Sequence, residues 1–149
     1  MKRFTFKLAT LLEMRKQEEE QVKLELAEKN REIISRQDDL NKAYRNLKDL
    51  QATEKERRSE SEPVMEMRYS VAYRYKLKND ILLTGRSIDD LRAEAHGIQK
   101  RLLEAVKRRR ALEVIRDRRF NAWKKIYLRE EQKFIDGVAQ QKYVRTKKT

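Results

Sequence analysis

The side chains of this chain that could do chemistry are mostly cations, and they gather in one stretch. Between Val106 and Lys125 nine residues are Lys or Arg, against the two acidic residues Glu113 and Asp117. Guanidinium and ammonium groups bind phosphates and carboxylates, so the stretch predicts an anionic partner, either a nucleic acid or an acidic protein surface. Residues 100–149 carry 17 basic and 6 acidic side chains, and therefore hold most of the net charge of +13.

Groups suited to catalysis or to metal binding are scarce in this sequence. It has 1 His and no Cys. We interpret His96 as a residue beside a helix seam, and the run Glu18–Glu20 as charges on a helix face. There is no Gly-rich loop of the kind that cradles phosphates. We therefore predict a protein that is not an enzyme and that has neither a cofactor nor a metal site.

The elements that position these side chains are predicted to be long helices. Charged residues make up 42% of the chain, which has only 3 Gly and 1 Pro. Apolar residues nevertheless recur at alternating spacings of three and four, as along a coiled-coil seam. The first seam comprises Leu8, Leu12, Val22, Leu26, Ile33, Leu40, Ala43, Leu47 and Leu50, and it is interrupted by Arg15, Glu19, Lys29 and Arg36. The second comprises Leu77, Ile81, Thr84, Ile88, Leu91, Ala95, Ile98, Leu102 and Ala105, beyond which the same frame reaches Arg109, Arg116 and Arg119.

The turn between the seams is predicted around the only proline. Ser59 or Ser61 could cap the following helix, and Pro63 suits its first turn. We expect a single coiled-coil domain over residues 1–149, with helix 1 at about 4–58, a turn at about 59–62 and helix 2 at about 63–145. A rival break at 84–87 has Ser87 as a possible cap, but the heptads pass through it without a change of phase.

The predicted fold is all-α, an antiparallel two-helix coiled-coil hairpin with long helices, of which the second overhangs the first. A short turn would place side by side the residues whose numbers add up to about 120–122, and would bring Tyr44 near Tyr75. The overhang would contain Trp123, Tyr127 and Phe134. No apolar run is long enough for a membrane span.

Two alternatives remain open from the residues alone. The cations at 107–110 advance around the helix and surround it, which disfavours base-specific readout but leaves a nonspecific nucleic-acid-binding coiled coil as the alternative function. Tyr69, Tyr73 and Leu77 share one stripe of helix 2, either as core packing near the turn or as a surface for a partner.

The order of these features resembles the FliJ family of flagellar type III protein export, over nearly the whole chain. The resemblance is carried by the start FTFKLATLLEMRKQEEEQ, by the aromatic stretch MRYSVAYRYKL, and by the tail ALEVIRDRRFNAWKKIYLREEQKFIDGVAQQKY. The related stalk proteins of injectisomes share this architecture.

The resemblance implies a stalk-like coiled coil in bacterial flagellum biogenesis, and hence in motility and chemotaxis. Such a protein binds the hexameric export ATPase with the end that bears both termini, and promotes its assembly and activity. It also contacts the export gate, a membrane protein, and export chaperones, and binds no specific nucleic acid. It would be cytoplasmic and peripherally associated with the inner face of the cell membrane through the export apparatus.

The resemblance also implies positions for two partner sites. Near the middle of both helices, the closest matches to a gate-binding patch are Gln37, Tyr44, Tyr73 and Leu77. At the end bearing both termini, the candidates for binding the ATPase are Phe4, Leu8, Leu12, Arg118, Arg119, Trp123 and Lys124.

Overall fold

A computed structural model describes residues 3–59 and 63–146, which contain two long α-helices that pack against each other. Helix α1 spans Ala9–Ser59 and helix α2 spans Val64–Thr146. Ion pairs such as Glu25–Arg101 and Glu54–Arg74 show that the helices run antiparallel. The described residues contain no strand, so the predicted all-α hairpin is confirmed.

Helix α1 begins at Ala9 and not near residue 4. Phe4, Thr5 and Phe6 have lower helix propensity than the residues that follow, and they lie outside the helix. The carbonyl oxygen of Phe6 accepts a hydrogen bond from the N–H of Ala9 at 3.1 Å, which forms the turn that leads into α1. Phe4, Thr5 and Phe6 therefore belong to a separate segment before α1.

At the other end of the hairpin, Pro63 directly precedes helix α2. Its carbonyl oxygen accepts hydrogen bonds from the N–H groups of Glu66 and Met67, at 3.0 and 3.2 Å. Ser59 ends α1, where its hydroxyl donates to the carbonyl of Glu56, so it does not cap α2. The rest of the predicted turn, including Ser61, lies outside the described residues. Helix α2 continues through residues 84–87, so the rival break is wrong.

The chain divides into two compact units. The terminal unit comprises Met1–Glu20 with Leu103–Thr149, and the hairpin unit comprises Gln21–Leu102. In the hairpin unit the predicted second seam forms the core, through the buried residues Leu77, Ile88, Leu91, Ala95 and Ile98. Full burial of one such Leu or Ile side chain contributes about 1.5–3 kcal/mol.

The core of the terminal unit is smaller. Leu12 and Ala105 are buried, and Leu8, Val106 and Leu112 are half-buried. Both seams therefore contribute to it at the predicted positions.

The first seam shifts locally in the hairpin unit. Arg36, which the heptad frame places in the seam, is exposed, whereas its neighbour Gln37 is half-buried. Burying an unpaired guanidinium would cost far more than burying an amide, so the helix presents Gln37 to the interface. From Leu40 onward the half-buried residues again fall at the predicted seam positions.

The cross-helix ion pairs depart from the predicted register by between one residue, at Lys29–Glu94, and several. That register would place Glu54 beside residues 66–68 and Glu25 beside residues 95–97, but Glu54 binds Arg74 at 3.0 Å and Glu25 binds Arg101 at 2.7 Å. Side chains lean toward the N-terminus of their own helix. In an antiparallel pair, contacts therefore join a residue of α1 to one of α2 that lies further from the turn.

Tyr44 and Tyr75, which were expected to lie near each other, make no ring contact within the described part of the chain. Both rings are exposed. No helix in the described part of the chain has the length and apolarity needed to cross a membrane.

Candidate partner-binding site in the terminal unit

Four aromatic rings form a cluster in the terminal unit. Phe4, from the segment before α1, meets Phe120 edge to face at 5.3 Å between ring centroids and Trp123 at 5.8 Å. Phe120 and Trp123 stack at 5.8 Å, and Trp123 contacts Tyr127 at 5.2 Å. Aromatic pairs at such distances contribute about 0.5–1.5 kcal/mol beyond their burial. The cluster therefore fixes the N-terminal segment against α2.

This cluster changes the extent of the predicted overhang. Trp123 and Tyr127 were expected to project without a neighbour, but both are half-buried in the cluster. The seam frame moves by one residue here, from Arg119 and Ile126 to Phe120 and Tyr127, because aromatic rings pack where a charged side chain would lose its hydration. From residue 128 to 143 every side chain is exposed, including Phe134 as predicted.

A charged group lies inside the seam of the terminal unit. Glu19 is only 5% exposed, and its carboxylate accepts a hydrogen bond from Arg109. Arg109 also donates to Glu113, at 2.7 Å. The hydrogen bond to Glu19, followed by that to Glu113, raises the pKa of the Arg109 guanidinium above its ordinary value. Arg109 is thus a structural cation and not one that is free for a partner.

Neighbouring cations of α2 are differently placed. Arg118, Arg119 and Lys124 are exposed, and within the described chain none of them forms an ion pair or a hydrogen bond. At about 100° per residue, Arg119 and Lys124 flank the aromatic face of α2 on either side, whereas Arg118 lies opposite it. Arg119 and Lys124 therefore border the cluster, Arg118 lies on the far side of α2, and all three remain available to anionic groups.

The residues predicted to bind the ATPase all lie in the terminal unit, but they differ in accessibility. Phe4 and Trp123 are brought into contact, Arg119 and Lys124 are exposed on either side of them, and Arg118 is exposed on the opposite side of α2. Leu8 is half-buried and Leu12 is only 5% exposed, so both belong to the packing within the unit.

Sequence reasoning missed Phe120 and Tyr127 as members of the site. The signal that could have found them is the spacing of Arg116, Phe120, Trp123 and Tyr127, which alternates four, three and four residues. Extending the heptad frame without a shift selected Arg119 and Ile126 instead.

The predicted gate-binding residues lie in the hairpin unit and fall into two groups. Tyr44 and Tyr73 are exposed, at 53% and 47%. Gln37 is half-buried and Leu77 is buried in the seam. The surface that this set offers to a partner is therefore that of the two tyrosines.

Ion pairs across the hairpin unit occupy other charges near its seam. Lys29, which interrupts the first seam, binds Glu94 at 2.9 Å and Glu32 at 3.2 Å. These two hydrogen bonds raise the pKa of the Lys29 ammonium above its ordinary value. In the same way, the hydrogen bond to Glu25 raises the pKa of Arg101.

The accessible groups of the two units are suited to binding. Among the described residues no group of His, Asp or Glu side chains is arranged to hold a metal ion. The accessible groups are aromatic rings and unpaired cations, which suit a protein surface that is both apolar and acidic.

Comparison with known proteins assigns the chain to one family model. Residues 4–148 match the model described as Flagellar FliJ protein. No curated protein and no solved structure is matched. The family match covers the segment that carries Phe4, the hairpin unit and the exposed end of α2.

Proposed function

Because this chain belongs to the FliJ family of flagellar proteins, we propose that it is the stalk-like component that binds the hexameric export ATPase and promotes its assembly and activity. Membership makes it a flagellar export-related protein. The observation that carries the finer assignment is the combination, within the terminal unit, of a packed aromatic cluster and three exposed, unpaired cations.

The terminal unit suits an acidic partner for electrostatic reasons. Exposed ion pairs contribute only about 0–1 kcal/mol each, but several cations on different sides of one helix together steer association with acidic groups that surround it, as in a ring, and raise its rate. Arg118, Arg119 and Lys124 have no internal partner to leave, so binding carboxylates does not require breaking an ion pair within the described chain. The aromatic cluster fixes the helix that carries them.

The remaining partners are proposed on the family match together with exposure. Tyr44 and Tyr73 are the side chains that would contact the export gate, a membrane protein. Export chaperones are the third proposed partner, after the ATPase and the export gate. In this proposal the protein is cytoplasmic and is held at the inner face of the cell membrane by the export apparatus, and it serves flagellum assembly, motility and chemotaxis.

Nonspecific nucleic-acid binding is the weaker alternative. Its main support was the basic stretch, but Arg109 is engaged by Glu19 and Glu113, and Arg116 binds Asp117 at 2.9 Å. The cations that remain point to several sides of α2, whereas a nucleic-acid surface gathers them on one face.

The experiment that tests the proposal measures ATP hydrolysis and ring assembly by the purified export ATPase. The variant Arg118→Glu/Arg119→Glu/Lys124→Glu should abolish the stimulation given by the unaltered protein. The stimulation by the unaltered protein should itself fall as salt is raised, because exposed charges are screened beyond about 8–10 Å at physiological ionic strength.

A matched control carries the same change of charge in the hairpin unit. Arg31→Glu/Arg36→Glu/Lys48→Glu alters three exposed cations of α1 and should stimulate the ATPase as the unaltered protein does. Circular dichroism establishes that both variants are helical. Full stimulation by the terminal variant would refute the assignment of this unit, and equal loss in both would show that only net charge matters.

A further inference from the structure

The first turns of α2 carry an apolar stripe that nothing in the described chain covers. Its members recur along one face of the helix and are all exposed, namely Val64, Met67, Val71, Tyr75 and Leu82. Val64, Met67, Val71 and Tyr75 line a shallow apolar groove together with Arg68 and Ala72. At about 100° per residue the stripe is roughly 80° wide, which is the width of a face that packs against one further helix.

This stripe is distinct from the surfaces already described. The buried seam of the hairpin unit runs along Ser70, Leu77 and Ile88, about 100° away around α2. Tyr73 lies on the opposite flank of that seam. The stripe therefore takes no part in the packing of α1 on α2, nor in the proposed contact with the export gate.

The charges beside the stripe have one sign. Arg68 and Arg86 follow one edge, and Lys78 lies between Tyr75 and Leu82. All three are exposed, and none forms an ion pair within the described residues. The acidic residues of α2 between Val64 and Arg86 are Glu66 and Asp80, and both lie on the other side of the helix.

We propose that this stripe is a docking site for an acidic amphipathic helix of another protein. The spacing of the apolar residues matches the anchors with which one helix packs on another, and the unpaired cations match acidic residues flanking such anchors. A second copy of the same stripe is disfavoured, because it would bring Arg68, Lys78 and Arg86 of both copies together. The apolar contact supplies most of the affinity, and the cations select a partner that carries negative charge.

The test uses the full chain and a pair of synthetic peptides. Each peptide is an amphipathic helix of about three heptads with Leu in its seam, flanked by Glu in one and by Lys in the other. Fluorescence anisotropy should show that the Glu peptide binds and that the Lys peptide does not. The variant Arg68→Glu/Arg86→Glu should weaken the Glu peptide at least about tenfold and should gain binding of the Lys peptide.

A control with the same change of charge separates this site from general attraction to a basic protein. Arg31→Glu/Arg36→Glu, which reverses two exposed cations outside both proposed sites, should leave the affinity for the Glu peptide unchanged, whereas Val71→Ser/Tyr75→Ser should weaken it without loss of helicity. Equal weakening by both charge reversals would overturn the proposal, as would full binding to the variant with Ser at both positions. Sedimentation equilibrium tests whether a second copy of the chain occupies the stripe instead. A dimer of the unaltered protein that dissociates in Val71→Ser/Tyr75→Ser would assign the stripe to that second copy and overturn the proposal.

Discussion

Glu19 is a charged residue that the terminal unit encloses almost completely. Its carboxylate meets the Arg109 guanidinium, which Glu113 holds from the other side. A buried charge is tolerated only when it is paired and hydrogen-bonded, so these contacts explain how a glutamate occupies a seam position. They also join the start of α1 to α2 in the unit that carries the aromatic cluster.

The variant Glu19→Ala should therefore lower the free energy of unfolding by about 1–3 kcal/mol, the usual cost of leaving a buried polar group unsatisfied. Urea unfolding followed by circular dichroism measures the change. The nearby variant Glu13→Ala is the control, because Glu13 binds Lys16 at 3.5 Å in an exposed pair whose loss costs about 0–1 kcal/mol. Equal stabilities of the two variants would show that Glu19 contributes no more than a surface charge.

The sequence predicts where these polar residues lie but not what they bind. Glu19 and Lys29 were recognised as interruptions at seam positions, where Glu19 is buried and Lys29 is half-buried. Their partners Arg109 and Glu94 depend on the register of the hairpin. The register in turn depends on side-chain lean and on the connection between the helices, neither of which the heptad pattern contains.

At the scale of the element, α2 holds its helical conformation through three glycines. A methyl group added at Gly85, Gly97 or Gly137 would meet no atom within 4 Å. None of these positions therefore needs glycine for space, and each loses the conformational entropy that glycine has in the unfolded chain.

The variant Gly97→Ala should raise the free energy of unfolding by about 1 kcal/mol, because alanine has the higher helix propensity. Thermal and urea unfolding measure this gain. Gly137→Ala is the control, since the residues around it are all exposed and unpacked, so it should raise helicity with little effect on the main transition. A destabilised Gly97→Ala variant would mean that a partner or a bend requires glycine there.

The seams themselves were predictable because burial imposes a period on the sequence. The second seam was predicted residue by residue from Leu77 to Ala105, and its apolar positions are buried or half-buried. The shifts at Gln37 and Phe120 were not predicted. Each occurs where the unshifted frame would bury Arg36 or Arg119, so the cost of burying a cation outweighs strict periodicity.

For the whole molecule, the fold followed from composition and period, whereas the candidate site did so only in part. A chain with few turn residues and two apolar seams separated by one proline has little choice but a helical hairpin. The terminal cluster also requires Phe4, which lies outside both helices and packs on α2. The heptad period contains no information about such a segment, so the predicted overhang of α2 included Trp123 and Tyr127, which in fact pack in the cluster.

The two units also predict that the proposed activities can be separated. Tyr44 and Tyr73 lie in the hairpin unit, whereas the cations proposed to bind the ATPase lie in the terminal unit. The variant Tyr44→Ala/Tyr73→Ala should therefore reduce flagellar export and motility while stimulation of the ATPase is retained. Exposed aromatic residues that anchor an interface contribute about 2 kcal/mol or more each, so losing two of them should weaken gate binding at least about tenfold.

The control for this last variant is Leu24→Ala/Met65→Ala, which removes two exposed apolar side chains of the same unit from outside the proposed gate surface. Export should continue in it, and circular dichroism should show equal helicity in all variants. If Tyr44→Ala/Tyr73→Ala lost helicity together with export, the tyrosines would be packing residues. If it lost ATPase stimulation while remaining folded, the division of labour between the units would be wrong, because a surface in the hairpin unit would then be acting on the ATPase.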